Sequence, residues 1–134
     1  MPAHLAACLI AAFLLFYAFA SAALEGPRVS IRAPSRIGTA PADWWVTITV
    51  DPRAEHRHLI IEMDGQPGEY RRSDYALEGA DAARIRQIWF KSIPQGCYWF
   101  SAAVADTSKV LGADRIGPVA IIGREGNLCP EMAP

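Results

Sequence analysis

Two histidines, His56 and His58, are the residues of this chain with the clearest potential for chemistry. Side chains two positions apart on an extended strand project from the same face, so both imidazoles could bind one metal ion. Asp51 and Glu55 are near enough in sequence to complete a copper or zinc site. The same pattern also fits a polar loop with two solvated histidines. Metal binding through His56 and His58 is therefore an alternative hypothesis, and the sequence predicts no cofactor.

Motifs that usually mark catalytic sites are absent from the sequence. There is no H-E-x-x-H, no G-x-S-x-G, no glycine-rich phosphate loop and no C-x-x-C. Serines and acidic residues are plentiful, but no arrangement couples a nucleophile to a base. We therefore expect that the protein is not an enzyme.

Tryptophans are the second group with functional potential. Trp44 begins an alternating segment whose apolar residues share one face, which places Trp45 on the other face. Trp99 follows Tyr98 in another apolar segment and also faces away from its neighbour. Exposed tryptophans on a sheet can stack on sugar rings or anchor a protein partner. Trp45 and Trp99 are thus binding candidates, together with the loop Arg53–Arg57, unless other parts of the chain cover them.

The N-terminal segment predicts export. Leu5–Ala20 is apolar throughout, and Ala20-Ser21-Ala22 supplies the small residues that signal peptidase requires, so cleavage is expected after Ala22. Since the segment before the apolar run has almost no positive charge, an uncleaved membrane anchor is the alternative. The protein is then secreted or periplasmic, with membrane contact only through an uncleaved leader.

Charge argues against nucleic acid as a partner. The formal net charge is −1, acidic and basic residues are interspersed, and no basic stripe of the kind that binds a phosphate backbone is present. A mature chain of residues 23–134 is long enough for one domain with a real core.

Two cysteines, Cys97 and Cys129, remain once the leader is removed. An even count in an exported protein indicates a disulfide. Closing a loop of this size stabilises a small domain by roughly 3–4 kcal/mol on the chain-entropy estimate.

The mature sequence is rich in short β-prone segments separated by Pro, Gly and Asp, with little helical periodicity. It predicts strands at Val29–Ala33, Trp44–Val50, His58–Met63, Gly68–Ser73, Arg84–Phe90, Tyr98–Ala105 and Ile116–Ile122. A turn is expected at Asp64-Gly65 and a single helical turn is possible within Asp74–Ala83. In Arg84–Phe90 the apolar residues fall on both faces, which a β-bulge could reconcile. The fold class is all-β, a single antiparallel sandwich of about seven strands.

The segment Ile93-Pro94-Gln95-Gly96-Cys97-Tyr98, followed by an alternating strand and a turn, resembles the L-P-x-G-x-Y corner of fibronectin type III and bacterial immunoglobulin-like domains. The resemblance implies that Tyr98 packs at the corner before the sixth strand. A hairpin of the last two strands would then place Cys129 beside Cys97.

These observations lead to one expected organisation: a signal peptide at 1–22, a β-sandwich at 23–123 and a disulfide-pinned tail at 124–134. The expected function is an exported, non-catalytic module that binds a protein or glycan partner or has a structural role in the cell envelope. Metal binding through His56 and His58 and inhibition of an envelope hydrolase are the alternatives.

Overall fold

A computed structural model of the protein describes residues 27–66, 68–127 and 129–130, so the leader predicted at 1–22 lies outside the described residues. Eight strands and a 3₁₀ turn at Gly79–Asp81 occur within them. The strands are β1 Val29–Arg32, β2 Ile37–Thr39, β3 Ala42–Val50, β4 His58–Gln66, β5 Tyr70–Ala76, β6 Ile85–Ile93, β7 Gly96–Ala105 and β8 Val110–Ile122. None of the helical segments in these ranges has the length and apolar character needed to cross a membrane.

The strands form two sheets packed as a sandwich. One sheet has three strands in the order β1-β3-β6, and the other has five in the order β2-β8-β7-β4-β5. Neighbouring strands are antiparallel except β2 and β8, which are parallel. The predicted all-β sandwich is confirmed, and β6 and β5 each form an edge of their sheet.

The core lies between the two sheets and follows from alternation along the strands. Inward residues of β3, β4 and β7 are almost completely buried, and Phe90 of one sheet meets Phe100 of the other with ring centroids 5.2 Å apart. Burying one large apolar side chain stabilises the fold by roughly 1.5–3 kcal/mol. The repeated inward residues therefore hold the two sheets together.

Of three local expectations from the sequence, two are wrong, namely the turn at Asp64-Gly65 and the bulge within Arg84–Phe90. The turn expected at Asp64-Gly65 is part of β4, because a glycine there leaves room for the Tyr98 ring, which a Cβ would overlap. The single helical turn that the sequence allowed within Asp74–Ala83 is present as the 3₁₀ turn Gly79–Asp81, and β5 ends before it at Ala76. The pairing of β6 with β3 is regular from Ile85 to Phe90, with Ile88 and Phe90 inward and Trp89 outward, and the register shifts only further along, between Phe90 and Ile93.

The corner before β7 has the geometry that the resemblance implied. Tyr98 is completely buried, and its hydroxyl donates a hydrogen bond to the Pro94 carbonyl oxygen at 2.6 Å. This is the arrangement of a tyrosine corner, in which the hydroxyl bonds to backbone a few residues upstream. Desolvation raises the pKa of the Tyr98 phenol above its ordinary value, so it remains a donor at neutral pH.

A disulfide joins Cys97 to Cys129, with the Cα atoms 5.6 Å apart. Cys97 lies near the start of β7, opposite Ala120 on β8, so the bond holds the chain that follows β8 against the five-stranded sheet. The predicted cysteine pairing is present, and a disulfide is consistent with an exported protein.

Candidate functional site

The outer surface of the three-stranded sheet carries a pair of tryptophans. Trp45 on β3 lies directly opposite Trp89 on β6 in the strand register, and the ring centroids are 5.1 Å apart with the planes tilted by 39°. Trp45 is half-buried, whereas Trp89 is 47% exposed. We call Trp45 and Trp89 the aromatic face. A pair at this distance supports itself by ring contact while still presenting ring surface to solvent.

A charged pair lies at one end of the aromatic face. The Lys91 Nζ atom is 4.7 Å from the Trp89 ring centroid and 3.6 Å from Asp43 Oδ2. The other carboxylate oxygen of Asp43 accepts a hydrogen bond from the Ser92 backbone N–H at 2.9 Å. This backbone donor, together with Lys91, holds the pKa of the Asp43 carboxyl below its ordinary value. A fixed carboxylate and an ammonium group are therefore both available beside the rings at neutral pH.

Uncharged polar side chains continue the surface beyond the rings. The next pair along the two strands is Thr47 opposite Gln87, and the pair after it is Thr49 opposite Ile85. Gln87 is exposed and the two threonines are half-buried. The surface thus combines an aromatic platform with hydroxyl and amide groups that can form hydrogen bonds.

Trp99, the other tryptophan candidate, lies on the outer face of the five-stranded sheet and is half-buried against its own neighbours. The Arg115 guanidinium lies 4.2 Å from its ring centroid. Gly117 packs so closely that an added Cβ would lie 2.7 Å from ring atoms. The structure therefore does not bring Trp99 together with Trp45. Trp89 takes that place, and the sequence missed it because the apolar residues of β6 lie on both faces.

His56 is the only buried polar or charged side chain in the described core, and both of its ring nitrogens have partners. The Nδ1 atom lies 2.6 Å from the Asp51 carbonyl oxygen, and Nε2 lies 3.1 Å from Arg28 Nη1. A carbonyl only accepts and a guanidinium only donates, which assigns the proton to Nδ1 and the lone pair to Nε2. His56 therefore joins the loop after β3 to Arg28, which also forms an ion pair with Glu55 at 3.0 Å.

His58, in contrast, is exposed at the start of β4. It lines a groove of about 330 Å³ together with Asp74 and Asp106. Nevertheless, no group of three or more His, Cys, Asp or Glu residues within the described ranges is arranged to hold a metal ion. The same-face arrangement expected for the histidines is absent, because His56 precedes the strand and points into the protein. Metal binding by the pair stays a prediction.

The loop Arg53–Arg57 uses much of its charge internally. Arg53 Nε binds Asp51 Oδ2 at 2.5 Å, and this contact holds the pKa of the Asp51 carboxyl below its ordinary value. Glu55 is occupied by Arg28. The loop is therefore built around the buried His56, and its polar residues serve its own conformation.

Comparison with known proteins finds similarity only at the level of the fold. No family model and no curated protein matches the chain. A superoxide reductase (neelaredoxin) from Ignicoccus hospitalis is 14% identical, with a TM-score of 0.49 over 70% of this chain and 80% of that one. A Thr-to-Lys variant of that protein gives 15% identity and a TM-score of 0.50 over 76% and 84%. A CARDB domain from Pyrococcus furiosus, in complex with di-metal ions, is 13% identical, with a TM-score of 0.45 over 70% and 85%.

This likeness overturns the expectation that the protein is not an enzyme. The superoxide reductase variant shares the fold, so this architecture accommodates catalysis, and missing sequence motifs are no ground for excluding it. At 15% identity the likeness concerns the fold alone and transfers no activity to this chain.

Proposed function

We propose that the protein is exported by a signal peptide cut after Ala22 and that its mature domain binds a glycan through the aromatic face. The observation that carries the proposal is the contact of Trp45 with Trp89 on the outer surface of a sheet, at 5.1 Å between centroids. The domain is of the fibronectin type III or immunoglobulin-like kind. The strand order and the hydrogen bond of Tyr98 to Pro94 support that assignment.

The chemistry around the rings favours a glycan over a protein partner. A sugar ring has an apolar C–H face that can stack on tryptophan, and a rim of hydroxyls that need hydrogen-bond partners. Lys91, Asp43 and Gln87 provide donors and acceptors beside the aromatic face. A protein hot spot instead needs an anchor enclosed in a dry pocket, whereas this surface is an open sheet with polar neighbours.

Binding is tested with the purified mature domain and insoluble polysaccharides as probes. Peptidoglycan, chitin and cellulose are each incubated with the wild type and with the Trp45→Ala, Trp89→Ala and Trp99→Ala variants, and the unbound protein is measured. We expect retention on at least one polysaccharide and a loss of affinity of about tenfold in Trp45→Ala and in Trp89→Ala, equivalent to about 1.4 kcal/mol. Trp99→Ala is the matched control, because it removes a tryptophan from the opposite outer face.

Two results would contradict the glycan proposal. Failure of the wild type to bind any of the three polysaccharides removes its basis, and equal losses in all three variants show that retention does not depend on the aromatic face. Far-UV circular dichroism of each variant confirms that it is folded before its affinity is compared.

Export has its own test. Expression of the full chain with a C-terminal tag, followed by fractionation and N-terminal sequencing, should give a product outside the cytosol that begins at Ala23. A full-length product in the cytosol with both thiols open to alkylation would overturn this part of the proposal.

A further inference from the structure

The edge strand β6 presents a set of unpaired backbone groups. Among the described residues β6 pairs only with β3. The Arg84 carbonyl accepts a hydrogen bond from Val50 N–H at 2.7 Å and so points toward β3. Backbone direction alternates along a strand, so the N–H and C=O groups of Ile85, Gln87 and Trp89 point away from β3. An edge of this kind is a template for another strand.

One end of this edge is already capped. Arg71 on β5 donates from Nη1 to the Lys91 carbonyl oxygen at 2.6 Å. Lys91 is the next residue whose carbonyl points away from β3, so the fully available stretch extends from Ile85 to Trp89. The cap limits which register a further strand can adopt.

The side chains of the available stretch are symmetric about its centre. Ile85 is 64% exposed and Trp89 is 47% exposed, and both lie on the outer face, two residues before and two residues after Gln87. Two antiparallel copies centred on Gln87 would therefore place each exposed isoleucine opposite an exposed tryptophan. Aromatic and β-branched residues form favourable cross-strand pairs.

We propose that the protein forms a two-fold symmetric dimer in which β6 of one copy pairs antiparallel with β6 of a second copy, with Gln87 opposite Gln87. This interface is self-complementary, as closed dimers require. Ile85, Gln87 and Trp89 use their free N–H and C=O groups, and each exposed apolar side chain covers its counterpart. The dimer does not rest on the proposed glycan binding, although Trp89 belongs to both surfaces.

Charge is compatible with this register. Arg84 lies opposite Phe90 of the second copy and Arg86 lies opposite Ile88, so no like charges face each other directly along β6. The formal net charge of −1 per chain gives little long-range repulsion between copies. The two three-stranded sheets become one six-stranded sheet with two aromatic faces on the same side, which gives a multivalent surface for a repetitive ligand.

Sedimentation equilibrium of the mature domain and of a Gln87→Pro variant tests the edge. Gln87 N–H points away from β3, so proline at this position removes no hydrogen bond within the protomer but blocks the dimer. We expect the wild type to be a concentration-dependent dimer and the variant a monomer, with far-UV circular dichroism showing that the variant is folded. If the proline variant does not fold, Ile85→Lys/Trp89→Lys replaces it, since that pair keeps the backbone and removes the apolar cover.

Disulfide trapping tests the register. Paired residues at the centre have Cα atoms about 5.5 Å apart, within the range of a disulfide, so Gln87→Cys should crosslink under mild oxidation. Lys91→Cys is the exposed control on the same strand. In this register, position 91 of one copy lies eight residues along the strand from position 91 of the second copy, a distance of about 27 Å. Lys91→Cys should therefore not crosslink.

The outcomes separate this inference from the glycan proposal. A monomeric wild type, a dimer that persists in Gln87→Pro, or equal crosslinking of the Gln87→Cys and Lys91→Cys variants overturns the β6 dimer. Polysaccharide binding is compared in an Ile85→Lys variant, because Ile85 is not among the groups assigned to glycan binding. A monomeric Ile85→Lys variant that still binds polysaccharide supports the two proposals as separate properties of the same sheet.

Discussion

Replacing His56 by alanine tests whether this residue is a structural element of the loop or a metal ligand. The imidazole is completely buried and links the Asp51 carbonyl to Arg28 through two hydrogen bonds. Removing it leaves a cavity and takes the hydrogen-bond donor from the partly buried Asp51 carbonyl oxygen. Arg28 keeps its ion pair with Glu55, so the loss of its hydrogen bond to His56 adds little to the fall in stability.

The magnitude follows from these two losses. Large-to-small substitutions of buried residues cost about 2–5 kcal/mol, and leaving a buried acceptor unpaired costs about 1–3 kcal/mol. Because the loop can relax toward solvent, we expect His56→Ala to lower the free energy of unfolding by about 2–4 kcal/mol. For a domain of this size that corresponds to a fall in Tm of roughly 8–16 °C.

Urea unfolding at neutral pH, followed by tryptophan fluorescence, measures the effect, with and without Zn(II). His58→Ala is the matched control, because His58 is exposed and its loss should change stability by no more than about 0.5 kcal/mol. Equal effects of the two substitutions would refute the structural role of His56. So would a zinc-dependent stabilisation of the wild type that either substitution abolishes, since a metal shared by both histidines would behave in that way.

Four further predictions concern the corner around Tyr98 and the disulfide. Tyr98→Phe should cost about 1–3 kcal/mol because the Pro94 carbonyl loses its donor. Burial raises the pKa of Tyr98, so the stability that the protonated phenol contributes is complete below the ordinary pKa of 10.0 and is lost as pH rises through the folded-state pKa. Urea unfolding across that pH range should show a loss of stability in the wild type that Tyr98→Phe lacks. Identical pH profiles of the two proteins would contradict this prediction. Reducing Cys97–Cys129 should lower the free energy of unfolding by roughly 3–4 kcal/mol, measured by urea unfolding with and without reductant. An unchanged urea midpoint would show that the bond does not stabilise the fold. Gly65→Ala should cost about 1–3 kcal/mol, because the new methyl meets the Tyr98 ring, and a variant as stable as wild type in a thermal melt would show that the ring can move aside.

The sequence predicts those parts of the fold that depend on local alternation. β3 was expected at Trp44–Val50 and is observed at Ala42–Val50, because a strand with one buried face repeats its apolar residues every second position. The outward direction of Trp45 follows from the same pattern. The tyrosine corner was accessible for a different reason, since proline, glycine and tyrosine occur at fixed offsets within a few residues.

Features that depend on distant residues could not be predicted in this way. The three residues of β2 form a strand only because β8, far along the chain, offers a parallel partner. His56 is buried because Arg28, 28 residues earlier, reaches its Nε2 atom. Trp89 joins Trp45 only through the register of β6 on β3. Of the two rings of the candidate site, the sequence predicts Trp45 through strand alternation. The position of Trp89 beside it is known only from the pairing of β6 with β3.

Glycan binding at the aromatic face is measured directly by a titration of the ¹⁵N-labelled mature domain with soluble fragments of whichever polysaccharide retains the protein. The titration is followed through the tryptophan indole N–H resonances. The chain has four tryptophans, of which Trp44 is buried in the core and Trp99 lies under Arg115 on the opposite sheet. If the glycan stacks on the aromatic face, the indole signals of Trp45 and Trp89 should shift together with one dissociation constant while those of Trp44 and Trp99 stay in place. A titration that shifts Trp99 and leaves Trp45 and Trp89 unchanged would contradict it.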